Sequence, residues 1–387
     1  MPRATPNSDS FPHGHFDLRH HAFHGICLQS FHPTPSFYKN HFGLQVFSNS
    51  LNSSGVVPKV TEFLFRSGTM NAFQVSRRLG LAFLFLLAPL SVSARVPQFT
   101  LPSEASAILD QIYSFDLDGA VEAAHHMQKE QPDHPLGLLL EAEAIWWRTW
   151  CTSADFKFGM TDARRRPKHE SDRRYLELST KVLSLAEVHL RQGESAEMQF
   201  YAGMAEASLA RMYGLRAENR NAARSGVRAR EHLLRAKTLD PDLFDTDFGL
   251  GLYNYYVDTL SAAAKILRFF MGIPGGSKQD GVRLLEHAIA QGVLTSNVAR
   301  FYLALNLHRY DQQYEKALNI LTPLVERYPA NPLYQLARGD LYAKLGRKQQ
   351  ALACYRAASA LPVQNAECQA HVRDLVRASI ASLDLHP

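Results

Sequence analysis

The chain has 387 residues, 46% of them apolar and 20% charged, with a formal net charge of +5. That length and composition fit one large repeat domain or two ordinary ones. The small positive excess does not by itself imply a nucleic-acid partner, and none is expected.

Residues 1–69 hold seven histidines among scattered Ser, Pro and Asn, with no sustained helical period. His13, His15, His20, His21 and His24 lack the ordered scaffold that fixes metal ligands in place, so no metal site is expected there. From Met70 the pattern changes. Arg77 and Arg78 precede the 12-residue apolar stretch Leu79–Leu90, and Val92, Ser93 and Ala94 follow. A basic start, a short apolar core and small residues at the cleavage positions predict a secretory signal peptide over 70–94. The apolar stretch falls short of the about 20 residues that cross a bilayer. Gly80 stands where a twin-arginine signal wants a bulky residue, which favours the general secretory route. A signal peptide works at the beginning of a chain, so Met70 is the expected true start, with 1–69 disordered or untranslated. The protein is then exported, to a periplasm or out of the cell, and 95–103 form a short linker.

After Ser103 strands are hard to find, and Ala, Leu, Arg and Glu abound, so the class is all-α. Ala120, Ala124 and Met127, followed by Pro132, mark a helix with a small-residue face. His125, His126 and His134 lie on and after it; adjacent histidines point about 100° apart and do not share a metal readily. Trp146, Trp147 and Trp150 cluster on the next helix and are expected to pack between neighbouring repeats. Arg164, Arg165, Arg166, Pro167 and Lys168 read as a solvated loop. Phe200–Met212, with Gly203 and Ala207, reads as a further helix. Arg216, Arg220, Arg224 and Arg228 then recur every four residues along one helical face, read as solvated, with salt-sensitive docking to an acidic surface as the sharper alternative. Ala229, Leu233, Ala236 and Pro241 repeat the small-residue signature, and Asp240, Asp242, Asp245 and Asp247 read as helix caps and dipole partners.

Between a helix around Phe248–Tyr256 and its partner around Gly281–Ala290 stands an insert, 257–276. Its apolar residues, among them Ile266, Leu267, Phe269 and Phe270, recur every three to four and end at a Pro-Gly-Gly turn, which predicts an inserted apolar helix. Two more helix pairs follow. Phe301, Leu305 and Leu307 face Ala317, Leu321 and Leu324 in the first, which Pro329 ends. In the second, Leu336, Gly339 and Tyr342 face Ala351, Tyr355 and Ala358, with Gly346 at the turn. Ala317 and Ala351 are 34 residues apart, a period that marks a helical solenoid.

This spacing resembles the tetratricopeptide repeat (TPR). The last unit fits best; it lacks the early tryptophan, with Gln335 in its place, and sets Pro362 one residue early. Five to six units between Glu104 and Ala381 are expected, giving a TPR-like solenoid over 104–381 and a tail at 382–387. The run Phe248–Asn254, the apolar insert, the glycine turn and Asp280-Gly281 with Leu284-Leu285 is similar to a motif of the tetratricopeptide-39 family, some of whose members associate with the mitochondrial outer membrane. That similarity implies a shared structural device, not a shared activity.

No phosphate-binding loop, nucleophile elbow or zinc-protease motif is present, so a non-catalytic protein without cofactor is expected. The resemblance implies a curved stack whose first helices line a concave face for a peptide or partner protein. On that face would stand Tyr302, Asn306, Arg309, Tyr310, Leu336, Asp340 and Lys344, extended by Phe248, Leu252, Tyr255 and Tyr256. The family's carboxylate clamp is not reproduced: Asn306 matches its asparagine, but Tyr302, Leu333 and Ala337 replace the basic partners. The alternative is attachment to a membrane surface through Ile266, Leu267, Phe269 and Phe270, bordered by Lys265 and Arg268. Against it stands burial of that helix beside Tyr253 and Leu284. Of Cys151, Cys354 and Cys368 at least one is unpaired. Cys354 and Cys368 read either as buried thiols or as a disulfide clamping the C-terminal end.

Overall fold

A computed structural model describes residues 99–153 and 169–384. The readings of 1–69, of the export signal at 70–94, of the Arg164–Lys168 loop and of residues 385–387 lie outside the described residues. Of the expected linker, residues 99–103 are described, the last of them already helical, and Phe99 packs on Phe200 with ring centroids 5.8 Å apart.

The described residues form fourteen α-helices and one π-turn, with no strand. They are α1 (Ser103–Ser114), α2 (Leu117–Glu130), α3 (Leu136–Ser153), α4 (Glu170–Gln192), α5 (Ala196–Leu215), α6 (Asn219–Leu239) and α7 (Thr246–Thr259). Then come α8 (Ala262–Phe270), α9 (Lys278–Gln291), α10 (Ser296–Asn306), the π-turn Leu307–Asp311, α11 (Tyr314–Arg327), α12 (Pro332–Lys344), α13 (Lys348–Ala360) and α14 (Ala366–Asp384). The last helix runs three residues into the expected tail.

Successive helices pack as pairs: α1 with α2, α3 with α4, α5 with α6, α7 with α9, α10 with α11, and α12 with α13, closed by α14. This is the all-α, TPR-like repeat. Its signature residues are the ones buried: Ala120, Ala124 and Met127 on α2, Ala229, Leu233 and Ala236 on α6, Ala317, Leu321 and Leu324 on α11, and Ala351, Tyr355 and Ala358 on α13. A side chain at Gly339 would meet the Tyr355 ring at 2.6 Å, so the pair needs glycine to close. Gly346 turns the chain at φ 71°, with the Arg347 N–H donating to Tyr342 O at 2.9 Å. Some helix starts are capped by side chains; Asn331 accepts from the N–H groups of Leu333 (2.9 Å) and Tyr334 (3.3 Å), with Pro332 in the first turn.

The stack does not stay open. Asp110 on α1 accepts from the Tyr328 hydroxyl at 2.6 Å and from Arg327 at 3.0 Å, and Asn331 donates to the Tyr113 carbonyl at 3.0 Å. Helix α14 rests on α3 as well as on α12 and α13. The first and last repeats thus touch, and α3 lies within the curve. The reason is in its sequence: α3 is buried along nearly its whole length and around most of its circumference, and a helix apolar on all sides must be enclosed. The tryptophans pack between neighbours as expected, Trp146 on Tyr175 at 5.6 Å and Trp147 on Tyr113 at 5.9 Å, and they also reach across the curve. Trp147 meets Phe301 at 5.0 Å and Tyr334 at 5.6 Å. Cys151 on α3 forms a disulfide with Cys368 on α14, with Cα atoms 5.1 Å apart. Cys354 is a free buried thiol, so both sequence-based readings of Cys368 are corrected.

Candidate functional site

The expected concave face is largely filled from within. Tyr302 is buried and its hydroxyl accepts from the indole N–H groups of Trp146 (3.0 Å) and Trp150 (3.4 Å). Phe248 is buried against Tyr302 at 5.9 Å. Leu336 belongs to the core, and Asp340 is buried with its carboxylate accepting from the Tyr355 hydroxyl at 2.7 Å. Asn306 is fully buried; its carbonyl accepts from Tyr255 at 3.2 Å and its side-chain oxygen from Tyr256 at 3.1 Å. These five, and the fully buried Tyr255 with them, are corrected from partner contacts to interior residues: the α3 tryptophans cover Tyr302, the α7 tyrosines cover Asn306, and Tyr355 on α13 covers Asp340. Leu252 and Tyr256 are half-buried, Arg309 is half-buried with its guanidinium 5.2 Å from the Tyr310 ring, and Tyr310 and Lys344 are exposed.

What remains of the predicted face is a tyrosine cluster at the end of α7. Tyr255 and Tyr256 both stack near Tyr310, at 5.9 and 6.3 Å. The Tyr255 hydroxyl also donates to Asp311 at 2.9 Å, and Lys278 pairs with that carboxylate at 2.5 Å. Burial pushes both the Tyr255 and Tyr256 hydroxyls well above the ordinary tyrosine range, with the Asp311 hydrogen bond adding to the effect at Tyr255. Deeper in the curve, Arg211 lies 4.2 Å from the Trp146 ring and pairs with Glu143 at 2.9 Å. Its guanidinium also donates to the Tyr175 hydroxyl, whose pKa burial raises to about 12.

The charged motifs resolve into structural roles. Arg216 pairs with Asp172 and Arg228 with Glu206, while Arg220 and Arg224 are exposed, so the arginine stripe is only half a solvated face. Asp245 does not cap its own helix. It accepts from the N–H groups of Val293, Leu294 and Thr295 at 3.1, 2.9 and 2.7 Å and ties the turn after α9. Asp247 pairs with Lys237 and lies 3.3 Å from His287. His125 and His134 pair with Glu141 (3.1 Å) and Glu197 (3.4 Å). His126, Glu104 and Glu130 bring one ligand atom each within 4.8 Å of one another, on a surface where His126 is exposed.

The feature that stands apart is α8. None of its residues is buried. Phe269 is 75% exposed and Phe270 79%, with Ile266, Leu267 and Met271 also exposed. The expectation that this helix fills the interior beside Tyr253 and Leu284 is therefore corrected. Only its inner side is held. The Ser261 hydroxyl caps it, Lys265 pairs with Asp258 at 2.9 Å, and Arg268 donates to the Ile273 carbonyl at 3.1 Å. The Tyr253 hydroxyl donates to the Pro274 carbonyl at 2.9 Å, and the Lys278 N–H to Asp258 at 3.0 Å. The backbone hydrogen bond from Lys278, seconded by Lys265, holds the Asp258 carboxyl below its usual range. A tethered helix thus presents an apolar surface to solvent. Among the described residues no helix is long and apolar enough to cross a membrane.

No family model and no curated protein matches the chain. The tetratricopeptide-39 similarity thus rests on its own residues alone. Among solved structures the chain is similar to yeast Tom70, at 12% identity over 73% of this chain and 89% of that one, with a TM-score of 0.25. A likeness of that size says nothing of function, and the repeat assignment rests on the helix pairs described above.

Proposed function

We propose that this protein is a non-catalytic helical-repeat scaffold of the cell envelope that attaches to a membrane surface through α8. The observation that carries this reading is the exposure of Ile266, Leu267, Phe269, Phe270 and Met271 on one tethered element, while the inner face is occupied by α3. Contiguous exposed apolar residues of this size mark a docking surface. Each phenylalanine carries about 200 Å² of side-chain surface. With three quarters or more of it exposed, insertion of Phe269 and Phe270 alone is worth about 8 kcal/mol at 25 cal/mol/Å². Loss of free motion on association opposes this by about 4–15 kcal/mol, so the attachment is peripheral and reversible. Export of the chain is supported by the Cys151–Cys368 disulfide, since such bonds persist in oxidising compartments.

Co-sedimentation of the full chain with lipid vesicles tests the reading. Leu267→Asp together with Phe270→Asp is expected to release the protein into the supernatant. An unchanged partition for that double variant removes membrane docking.

A further inference from the structure

We infer that Glu104, His126 and Glu130 form a zinc site that staples α1 to α2, independently of any docking through α8. His126 and Glu130 stand four residues apart on α2, so their side chains leave the same face. Glu104, in the first turn of α1, reaches the same point from the neighbouring helix. His126 Nδ1 lies 3.5 Å from Glu104 Oε1 and 3.7 Å from Glu130 Oε1, and the three ligand atoms all lie within 4.8 Å of one another. Those separations are too long for hydrogen bonds. They suit a shared ion: zinc held at about 2.0–2.1 Å by imidazole nitrogen and carboxylate oxygen sets tetrahedral neighbours about 3.4 Å apart. Among the described residues the three groups make no other ion pair or hydrogen bond, and two carboxylates gathered at one point repel until a cation joins them.

The donor set selects the ion. An imidazole nitrogen suits zinc and its transition-metal neighbours, whereas magnesium and calcium take oxygen ligands. Three protein ligands leave the fourth tetrahedral position to water. All three side chains are more than a third exposed, so the ion enters directly from solvent. His125, the next residue round the helix, is already paired with Glu141 at 3.1 Å and stays outside the set. In the fold the site stands at the closure. Helix α1 carries Asp110 and Tyr113, whose contacts with Tyr328 and Asn331 bring the two ends of the stack together. An ion that bridges α1 to α2 must leave before α1 can lift away, so zinc guards that contact.

The experiment follows amide exchange of the full chain over 103–114, without metal and with zinc at about 100 times the dissociation constant found by calorimetric titration. Openings that part α1 from α2 become about 100-fold rarer, and exchange through them slows by that factor. His126→Asn and Glu104→Gln alter solvent-facing side chains; each should abolish the slowing and remove one equivalent of bound zinc. His125→Asn should keep both, and magnesium should give no slowing. Exchange over 103–114 that zinc leaves unchanged overturns the site. Slowing that persists in His126→Asn assigns the zinc to other ligands, the histidines at 13–24 among them, and overturns it as well.

Discussion

Breaking the Cys151–Cys368 bond separates the two forces that close the stack. The bond joins residues 217 apart, and constraining a loop of that length in the unfolded chain is worth about 5 kcal/mol at 25 °C. Beside it lies a larger non-covalent contribution. Trp146, Trp147 and Trp150 are each buried, and about 200 Å² of ring surface at 25 cal/mol/Å² gives about 5 kcal/mol apiece. Reduction should therefore weaken the fold without opening it. Thermal unfolding followed by far-ultraviolet circular dichroism, with and without a dithiol reductant, is the assay. At about 2–4 °C per kcal/mol, the midpoint should fall by roughly 10–20 °C on reduction. Cys151→Ser with Cys368→Ser should match the reduced protein, and the tryptophan signal in the near ultraviolet should persist below the transition. A non-reducing peptide map showing the linked pair, combined with an unchanged midpoint on reduction, would refute the entropic reasoning. A map showing both thiols free would refute the bond itself.

Three further outcomes bear on the fold. Trp147→Ala removes a ring that touches Tyr113, Phe301 and Tyr334, and should cost about 3–5 kcal/mol in denaturant titration while leaving helix content nearly intact. Gly339→Val drives a branched side chain into the Tyr355 ring; a loss of about 1–3 kcal/mol is expected, and no loss would mean the last pair is not closed as described. Tyr175 keeps its proton to about pH 12 in the folded protein, whereas an ordinary tyrosine loses it near pH 10. The unfolded chain thus binds fewer protons between those values, so stability falls as pH rises through that window. In an absorbance titration the fraction of tyrosine signal that belongs to buried rings such as Tyr175 should appear together with alkaline unfolding rather than before it.

The repeat was legible because its determinants are local. Ala317, Leu321 and Leu324, or Ala351, Tyr355 and Ala358, lie on one face by helical spacing alone, and the glycine opposite them falls at a set offset. Closure was not legible in that way. Trp147 meets Phe301 and Tyr334 across more than 150 residues, and no spacing rule reaches so far. A clue was present in α3: Leu136–Ile145 offers no polar stripe beyond Glu141 and Glu143, and such a helix does not line an open groove. The concave-face assignment failed for that reason at Tyr302, Asn306, Leu336, Asp340 and Phe248. Cysteine counting failed similarly, because it looked for the partner of Cys368 among near neighbours while the bonded thiol stands on α3. For α8 the apolar period gave the helix but not the side that faces outward; that depends on Tyr253, Asp258 and Pro274, which hold its inner side.

Why α8 stays helical with its apolar side in water has one answer at Asp258. Nine residues are too few to form a stable helix alone, since nucleation fixes several residues for a single hydrogen bond. Asp258 accepts from the Lys265 ammonium inside the helix and from the Lys278 backbone N–H beyond it, so one carboxylate links the segment's two ends to α7. Asp258→Ala should then free α8 while leaving the repeat pairs intact. Amide exchange over 262–270 is expected to rise sharply, with the global unfolding midpoint almost unmoved because no α8 residue is buried. Acid should mimic the substitution: the carboxyl is held below its ordinary range, so its tether is complete above the unfolded value and weakens as pH falls through the folded one. Vesicle binding should weaken in parallel, because a helix that must order itself on the membrane loses the advantage of a preformed surface. If exchange over 262–270 is the same in Asp258→Ala as in the unaltered chain, Asp258 is not what holds the helix out.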